Sequence, residues 1–385
     1  MAGGVVTLFL CGDVMLGRGV DQILAHPGRP ELRESWVRDA RAYVELAEAA
    51  NGPIPAPVPA AWPWGEALEA LARAAPDARI VNLETSVTRC DDFAPDKEIH
   101  YRMHPANLPA LTAARPDVCV LANNHVLDFG RRGLAETLGS LHGAGLRTAG
   151  AGPDAEAAYA PAVCPAAGGA RVLVFALGTA SSGVPPHWAA TADRPGVAHL
   201  PQPTAQAAAD VVRRARRLRR PGDVVVVSVH WGSNWGYHVP REHVRFARLL
   251  VDGGVDVVHG HSSHHPRPAE VYRGRLILYG CGDFIDDYEG ITGYEEYRDD
   301  LRVAWFPSVE TDTGRLVELR MVPLVARRMR LEEAGAADVA WLRSTLERLV
   351  TGLRLTSGTA GRGERGERGG NGGSGGVLRA VPVGG

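Results

Sequence analysis

Short apolar runs along the chain stop repeatedly at a polar or ionisable residue. Val5 to Leu10 is a β-type run that leads into Cys11-Gly12-Asp13. Arg79 to Leu83 predicts a second strand, ending at Glu84, and Asp117 to Leu121 a third, ending at Asn123-Asn124-His125. Arg171 to Leu177 predicts another. The valine-rich run Asp223 to Val229 ends at His230, and Val255 to Val258 ends at His259-Gly260-His261. Such runs, rich in β-branched residues, are the pattern of strands buried on both faces. Helical spacing covers Glu31 to Ala50, Glu66 to Ala75, Gly130 to Gly143, Thr204 to Arg219, Pro240 to Val251 and Ala336 to Leu353. Asp128 is the expected cap of the third helix, and Pro240 sits in the first turn of the fifth. Pro53 to Pro63 excludes a helix, because proline recurs every few residues. Two hairpins follow: Ala269 to Tyr272 with Leu276 to Tyr279, and Leu301 to Glu310 with Arg315 to Val322.

Strands alternating with helices predict an α/β fold. In open α/β sheets ligands bind beyond the carboxyl ends of the strands. The polar stops therefore point to one functional edge, assembled from distant parts of the chain.

Composition narrows the class. Of 385 residues, 45% are hydrophobic and 22% charged, which excludes a disordered or fibrous chain. The organisation expected is one domain over residues 1–355 and a Gly-rich flexible tail over 356–385, because Gly361 to Gly376 cannot bury a core. The net charge of −2 excludes a whole-protein basic field for nucleic acid. The one Arg-rich run, Arg213 to Arg220, shares a helix with Val211, Val212 and Leu218 and reads as a solvated face. Five cysteines, an odd number without a CxxC pair, fit reduced thiols and a cytoplasmic location. No apolar stretch approaches the ~20 residues that a membrane helix needs, so no membrane insertion is expected.

Five segments carry the candidate chemistry: Gly12-Asp13-Val14-Met15, Asn82-Leu83-Glu84, Asn123-Asn124-His125, His230-Trp231-Gly232 and Gly260-His261-Ser262-Ser263-His264. They offer carboxylate, amide and imidazole groups at strand ends. Imidazole with carboxylate suits Zn, Fe or Mn, and harder ions tolerate amide oxygen. Two ions about 3.5–4 Å apart can clamp an attacking oxygen and a phosphoryl group, and Glu84 is the candidate bridge.

At these segments the sequence resembles the calcineurin-like metallophosphatase superfamily, and within it the bacterial CapA branch, linked to poly-γ-glutamate capsule synthesis. Gly12 to Arg18 (GDVMLGR), Asn82 to Thr85 (NLET), Ala122 to Gly130 (ANNHVLDFG) and His230 to Gly232 (HWG) carry the resemblance, which spans roughly residues 5–325. It implies a four-layer α/β/β/α sandwich with mixed sheets and two divalent ions, Mn, Fe or Zn. Asp13 and His264 would hold the first ion, and Asn124, His230 and His261 the second, with Glu84 between them. His125 would protonate the leaving oxygen or stabilise transition-state charge. Met15 stands where most of the superfamily has His, and two residues rather than one separate His261 from His264, so the first position is short of a ligand. His259 could compensate or face inward. The implied function is a metal-dependent hydrolase, a phosphoesterase using metal-bound hydroxide. Two alternatives stand beside it: a protein that makes, trims or binds the γ-linked glutamate polymer, and a non-catalytic binding module. The partner is a small-molecule or polyanionic substrate, and the oligomeric state is left open.

Several neighbours of these segments have two readings. Arg18 could hold a substrate phosphate or carboxylate bidentately, or form a surface salt bridge. Asp283 could orient a ligand histidine or cap a turn. Asp286, Asp287 and Tyr288 read as a solvated acidic loop. Lys97, His100, Tyr101 and Arg102 could line the cleft, as could Trp231 and Trp235. Cys11 and Cys281 read as small buried residues.

Overall fold

Alternation along single strands builds the layers. In the strand Val5–Val14, Leu8 and Leu10 point into one core while Phe9 and Cys11 point into another. In Val224–His230, Val224 and Val226 enter the core shared with Leu8, and Val225, Val227 and Val229 face away into a third. The shared core lies between two sheets. The outer face of the first sheet is covered by Arg41–Asn51, Ala67–Ala74 and Gly130–Gly143, through Tyr43, Ala70, Leu71, Leu134 and Leu141. The outer face of the second is covered by Ala205–Leu218 and Arg241–Asp252, through Val211, Val212, Phe246 and Leu250. Four layers result, helix on sheet on sheet on helix. The computed structural model describes residues 4–95, 97–358 and 376–383.

Both sheets are mixed. Val5–Val14, Ala78–Leu83, Val118–Val120 and Arg147–Ala149 run parallel, and Leu301–Glu310 and Leu316–Ala326 extend the sheet antiparallel on the other side of Val5–Val14. In the second sheet Arg171–Thr179, Val224–His230, Val257–His261 and Arg275–Leu278 run parallel, with Ala269–Tyr272 antiparallel at one side. The strand ends carrying Asp13, Glu84, Asn124, His230 and His261 thus lie at one edge of the two facing sheets.

Four expectations about elements change. Helix formation begins at Arg41, not Glu31, because residues 31–40 are tied across a loop by Leu32 N–H to Arg38 O and Ala40 N–H to Pro30 O. The terminal helix stops at Leu349, and Val350–Thr351 pairs with Ala269–Tyr272. Asp128 does not cap Gly130–Gly143; its carboxylate serves Lys97, His125 and the Tyr101 N–H instead. Residue 356 is not the end of the folded chain. Leu353–Gly358 pairs with Val377–Pro382, which pairs in turn with Leu316–Ala326 and places Leu378 and Ala380 in the inter-sheet core. The Gly-rich run between these two strands lies outside the described residues, Gly376 excepted. The Arg-rich helix is as expected: Ala208, Val211, Val212 and Ala215 are buried, and Arg213, Arg214, Arg216 and Arg217 are exposed.

Candidate metal centre

Close backbone approach sets the position of Asp13. A Cβ on Gly12 would stand 1.4 Å from the Gly282 carbonyl oxygen, so only glycine allows the two chains to meet there. The register then puts Asp13 opposite Asn82 on one side and Asp283 on the other. In the second sheet His230 lies opposite His261. Ser262, just after His261, has φ +97°, a strained value for a residue with a side chain, and the turn it makes returns His264 toward Asp13.

A chain of hydrogen bonds dictates where the imidazole protons sit. The Cys11 carbonyl can only accept, so His259 donates to it from Nε2 at 2.8 Å. His259 Nδ1 is then a lone pair and accepts from Ser228 Oγ at 3.1 Å. That oxygen in turn accepts from His261 Nε2 at 2.8 Å, which leaves His261 Nδ1 without a proton. On the other side His230 Nε2 donates to Asn124 Oδ1 at 3.0 Å, so His230 Nδ1 is also a lone pair. The two lone pairs face each other at 2.7 Å, with Asp13 Oδ1 at 3.9 Å from His261 Nδ1. Burial holds both rings well below the usual imidazole range, and a cation bound between the two lone pairs would satisfy both. His259 faces inward and acts on His261 through Ser228.

A second group of donors shares the same carboxylate. Ligand atoms of Asp13, His230 and His261 lie within 4.8 Å of one another, and so do those of Asp13, His264 and Asp283. Asp283 Oδ1 receives His264 Nδ1–H at 3.0 Å. Burial works against protonated His264, but Asp283 and Asp13 outweigh it and raise its pKa. Asp13 Oδ2 and Asp283 Oδ2 are buried with no hydrogen-bond partner. Burial pushes the Asp13 and Glu84 carboxyls up, helped by Asp283 at Asp13, where a hydrogen bond with Glu84 works against it, and by Asp13 at Glu84. Orphaned carboxylate oxygens beside imidazole lone pairs form a donor set that fits divalent ions such as Mn, Fe or Zn.

Asp13 is common to both groups of possible donors, and Glu84 remains the candidate bridge. Glu84 stands beside both groups, its Oε1 3.6 Å from His230 Nε2 and 4.0 Å from His125 Nε2. Asn82 orients the pair, donating from Nδ2 to Asp13 at 2.7 Å and to Glu84 at 2.9 Å. Asp283 orients His264 through the bond to its Nδ1 and stands among the possible donors, while the Met15 side chain is buried in the core.

His125 stacks on Tyr101, with ring centroids 3.8 Å apart, and its Nδ1 donates to Asp128 at 2.7 Å. Lys97, the only lysine, reaches Asp128 at 2.5 Å and the Asn124 carbonyl. Burial and this ammonium hold His125 well below its usual pKa, so its Nε2 faces Glu84 as an acceptor. Lys97 and Tyr101 line a cleft of about 330 Å³ with Glu84, Asn124, His125 and His264. Trp235 lines the adjoining cavity, while Trp231 is buried against His243.

Arg18 is not a free anion anchor. Its guanidinium is buried, bidentate to Asp287 at 2.8 and 2.5 Å and bonded to Glu34 at 2.9 Å. Asp287 is therefore no solvated loop residue, and neither is Asp286, which pairs with buried Arg302 at 2.5 Å. Asp287 lies 269 residues from Arg18 in the sequence, so their pairing leaves no local signal.

Comparison with known proteins shows the family. Residues 7–288 match the family described as bacterial capsule synthesis protein PGA_cap. A Mycobacterium tuberculosis protein named "probable polyglutamine synthesis accessory protein" is 54% identical over 352 residues, 91% of this chain and 93% of that one. The PGA biosynthesis protein CapA of Bacillus subtilis is 26% identical over 315 residues, 81% of this chain and 70% of that one. The five segments that form the candidate metal centre all lie within the matched region. The chain belongs to the bacterial capsule synthesis protein PGA_cap family.

Proposed function

We propose that this chain is a metal-dependent hydrolase of phosphoesters carried by small molecules. The observation that carries the reading is the convergence of the His230 and His261 lone pairs on Asp13, with the Asp283 carboxylate close by. Bound there, divalent ions supply charge neutralisation at phosphoryl oxygens and activation of an attacking water. The protein's own groups do the rest. Asn82 and the Cys11–His259–Ser228 relay hold the donors in orientation. His125, held by Asp128, would take at Nε2 the proton released by the attacking water and deliver it to the departing alkoxide. Lys97 offsets the charge of Asp128 and favours the neutral ring, which readies His125 to give the proton up. The family description and the relatives' names support a second reading, action on a γ-linked glutamate polymer. Five unpaired cysteines support a cytoplasmic site of action. Among the described residues no helix is long and apolar enough to cross a membrane.

The test is metal removal. Protein stripped with a chelator should lose turnover of an aryl phosphate and regain it with Mn²⁺, Fe²⁺ or Zn²⁺. Metal-dependent shortening of γ-linked glutamate chains without any phosphatase activity would replace the phosphoester reading with the polymer reading.

A further inference from the structure

The cleft over the metal centre does not end there. A second cavity of about 540 Å³ shares Ile99, Tyr101, Asn234, His264 and Tyr288 with it as a common wall. This annex is apolar and aromatic: Trp36, Leu46, Trp235, Ile291 and Tyr294 line it. Trp36 is 67% exposed, and Leu46, Ile291 and Tyr294 are exposed as well. The other large apolar side chains left exposed among the described residues are aliphatic: Val5, Val163, Leu218, Val317, Val381 and Val383. Both exposed aromatic rings therefore stand in one annex, next to the candidate chemistry. Clustered exposed apolar groups beside a polar site are what a ligand-binding wall looks like.

Charge points the same way. Among the described residues lining the two cavities, the cations besides histidine are Arg18 and Lys97, and both are already paired with buried carboxylates. Glu84, Glu98 and Asp299 add acidic groups, not cations, to the lining. A γ-linked glutamate chain carries a carboxylate on every unit and would need a run of free cations along its path. The ions at the centre could meet one anionic group, but the annex could meet none.

Resting on the hydrolase reading above, we propose that the annex binds the organic part of the substrate and that this part is a flat aromatic group. The substrate class is then an aryl-bearing phosphoester, with its phosphoryl group at the Asp13 centre and its ring system against Trp36 and Tyr294. Ring stacking and apolar burial provide the affinity.

Non-hydrolysable probes separate the outcomes. Binding of methylphosphonate, 2-naphthylmethylphosphonate and a γ-linked pentaglutamate to the Mn²⁺-loaded protein would be measured by calorimetry. The naphthyl probe should bind at least tenfold more tightly than the methyl probe. Trp36→Ala, an exposed change that the fold tolerates, should remove most of that difference and leave methylphosphonate affinity unchanged. Equal affinity for the two phosphonates would overturn this proposal alone. Tighter binding of pentaglutamate than of the naphthyl probe would overturn it in favour of the polymer. Binding of neither phosphonate would overturn the hydrolase reading and this proposal together.

Discussion

His125→Ala should lower kcat for an aryl phosphate by about 10²–10⁴-fold, the usual contribution of a positioned acid–base group, while metal content stays at the wild-type level. The two halves of this expectation come from one geometry. His125 Nε2 faces Glu84 at 4.0 Å, but His125 belongs to neither group of converging donors. Its Nδ1 is committed to Asp128, so only Nε2 can exchange a proton with a substrate. Asp128→Asn should give a smaller loss of kcat, because the ring keeps its place on Tyr101 but loses the carboxylate that stabilises its protonated form. Metal loss in His125→Ala, measured by elemental analysis, would make His125 a ligand and remove it as the proton carrier.

Arg18→Met should destabilise the protein by about 3–5 kcal/mol, the usual effect of leaving buried charge uncompensated. Asp287 and Glu34 would both lose their partner, and both carboxylates are fully buried in the pairs they now make. Arg18 also lies 3.5 Å over the Tyr43 ring, so its removal loses packing as well as charge. With an unfolding entropy of about 2.1 cal/mol/K per residue, a fall in Tm of roughly 5 °C follows. Calorimetry of the metal-free protein measures it without interference from the centre. A Tm unchanged within error, together with a large rise in KM for phosphoesters, would restore the substrate-anchoring role that its place after Asp13 suggested.

The candidate ligands were legible because they interrupt apolar strands. Asp13, His230 and His261 each stand where a buried run meets the sheet edge, and there a polar group is costly unless it is used. The four-layer fold followed from the family resemblance, and the alternation in strands such as Val224–His230 agrees with it. What stayed hidden depends on pairing across long distances. The register that sets Asp283 against Asp13 joins positions 270 residues apart, so Asp283 could be noticed but not placed. The same holds for Arg18, read as a substrate anchor or a surface salt bridge, and for Asp287, read as part of a solvated loop, until burial joined them. Val377–Pro382 was missed because a Gly-rich run precedes it. Its signal was the alternation of Leu378 and Ala380 with exposed neighbours. That Asp13 is common to two groups of possible donors is a matter of ångströms that strand-end patterns do not encode.

Asp13 is the proposed organiser of the divalent metal centre. Elemental analysis of metal per chain, on Mn²⁺-loaded wild type, Asp13→Ala and Asp283→Ala, tests it most directly. About two ions in wild type, one in Asp283→Ala and none in Asp13→Ala would agree with Asp13 as the shared ligand. No ion in wild type, or an unchanged complement in Asp13→Ala, would contradict it.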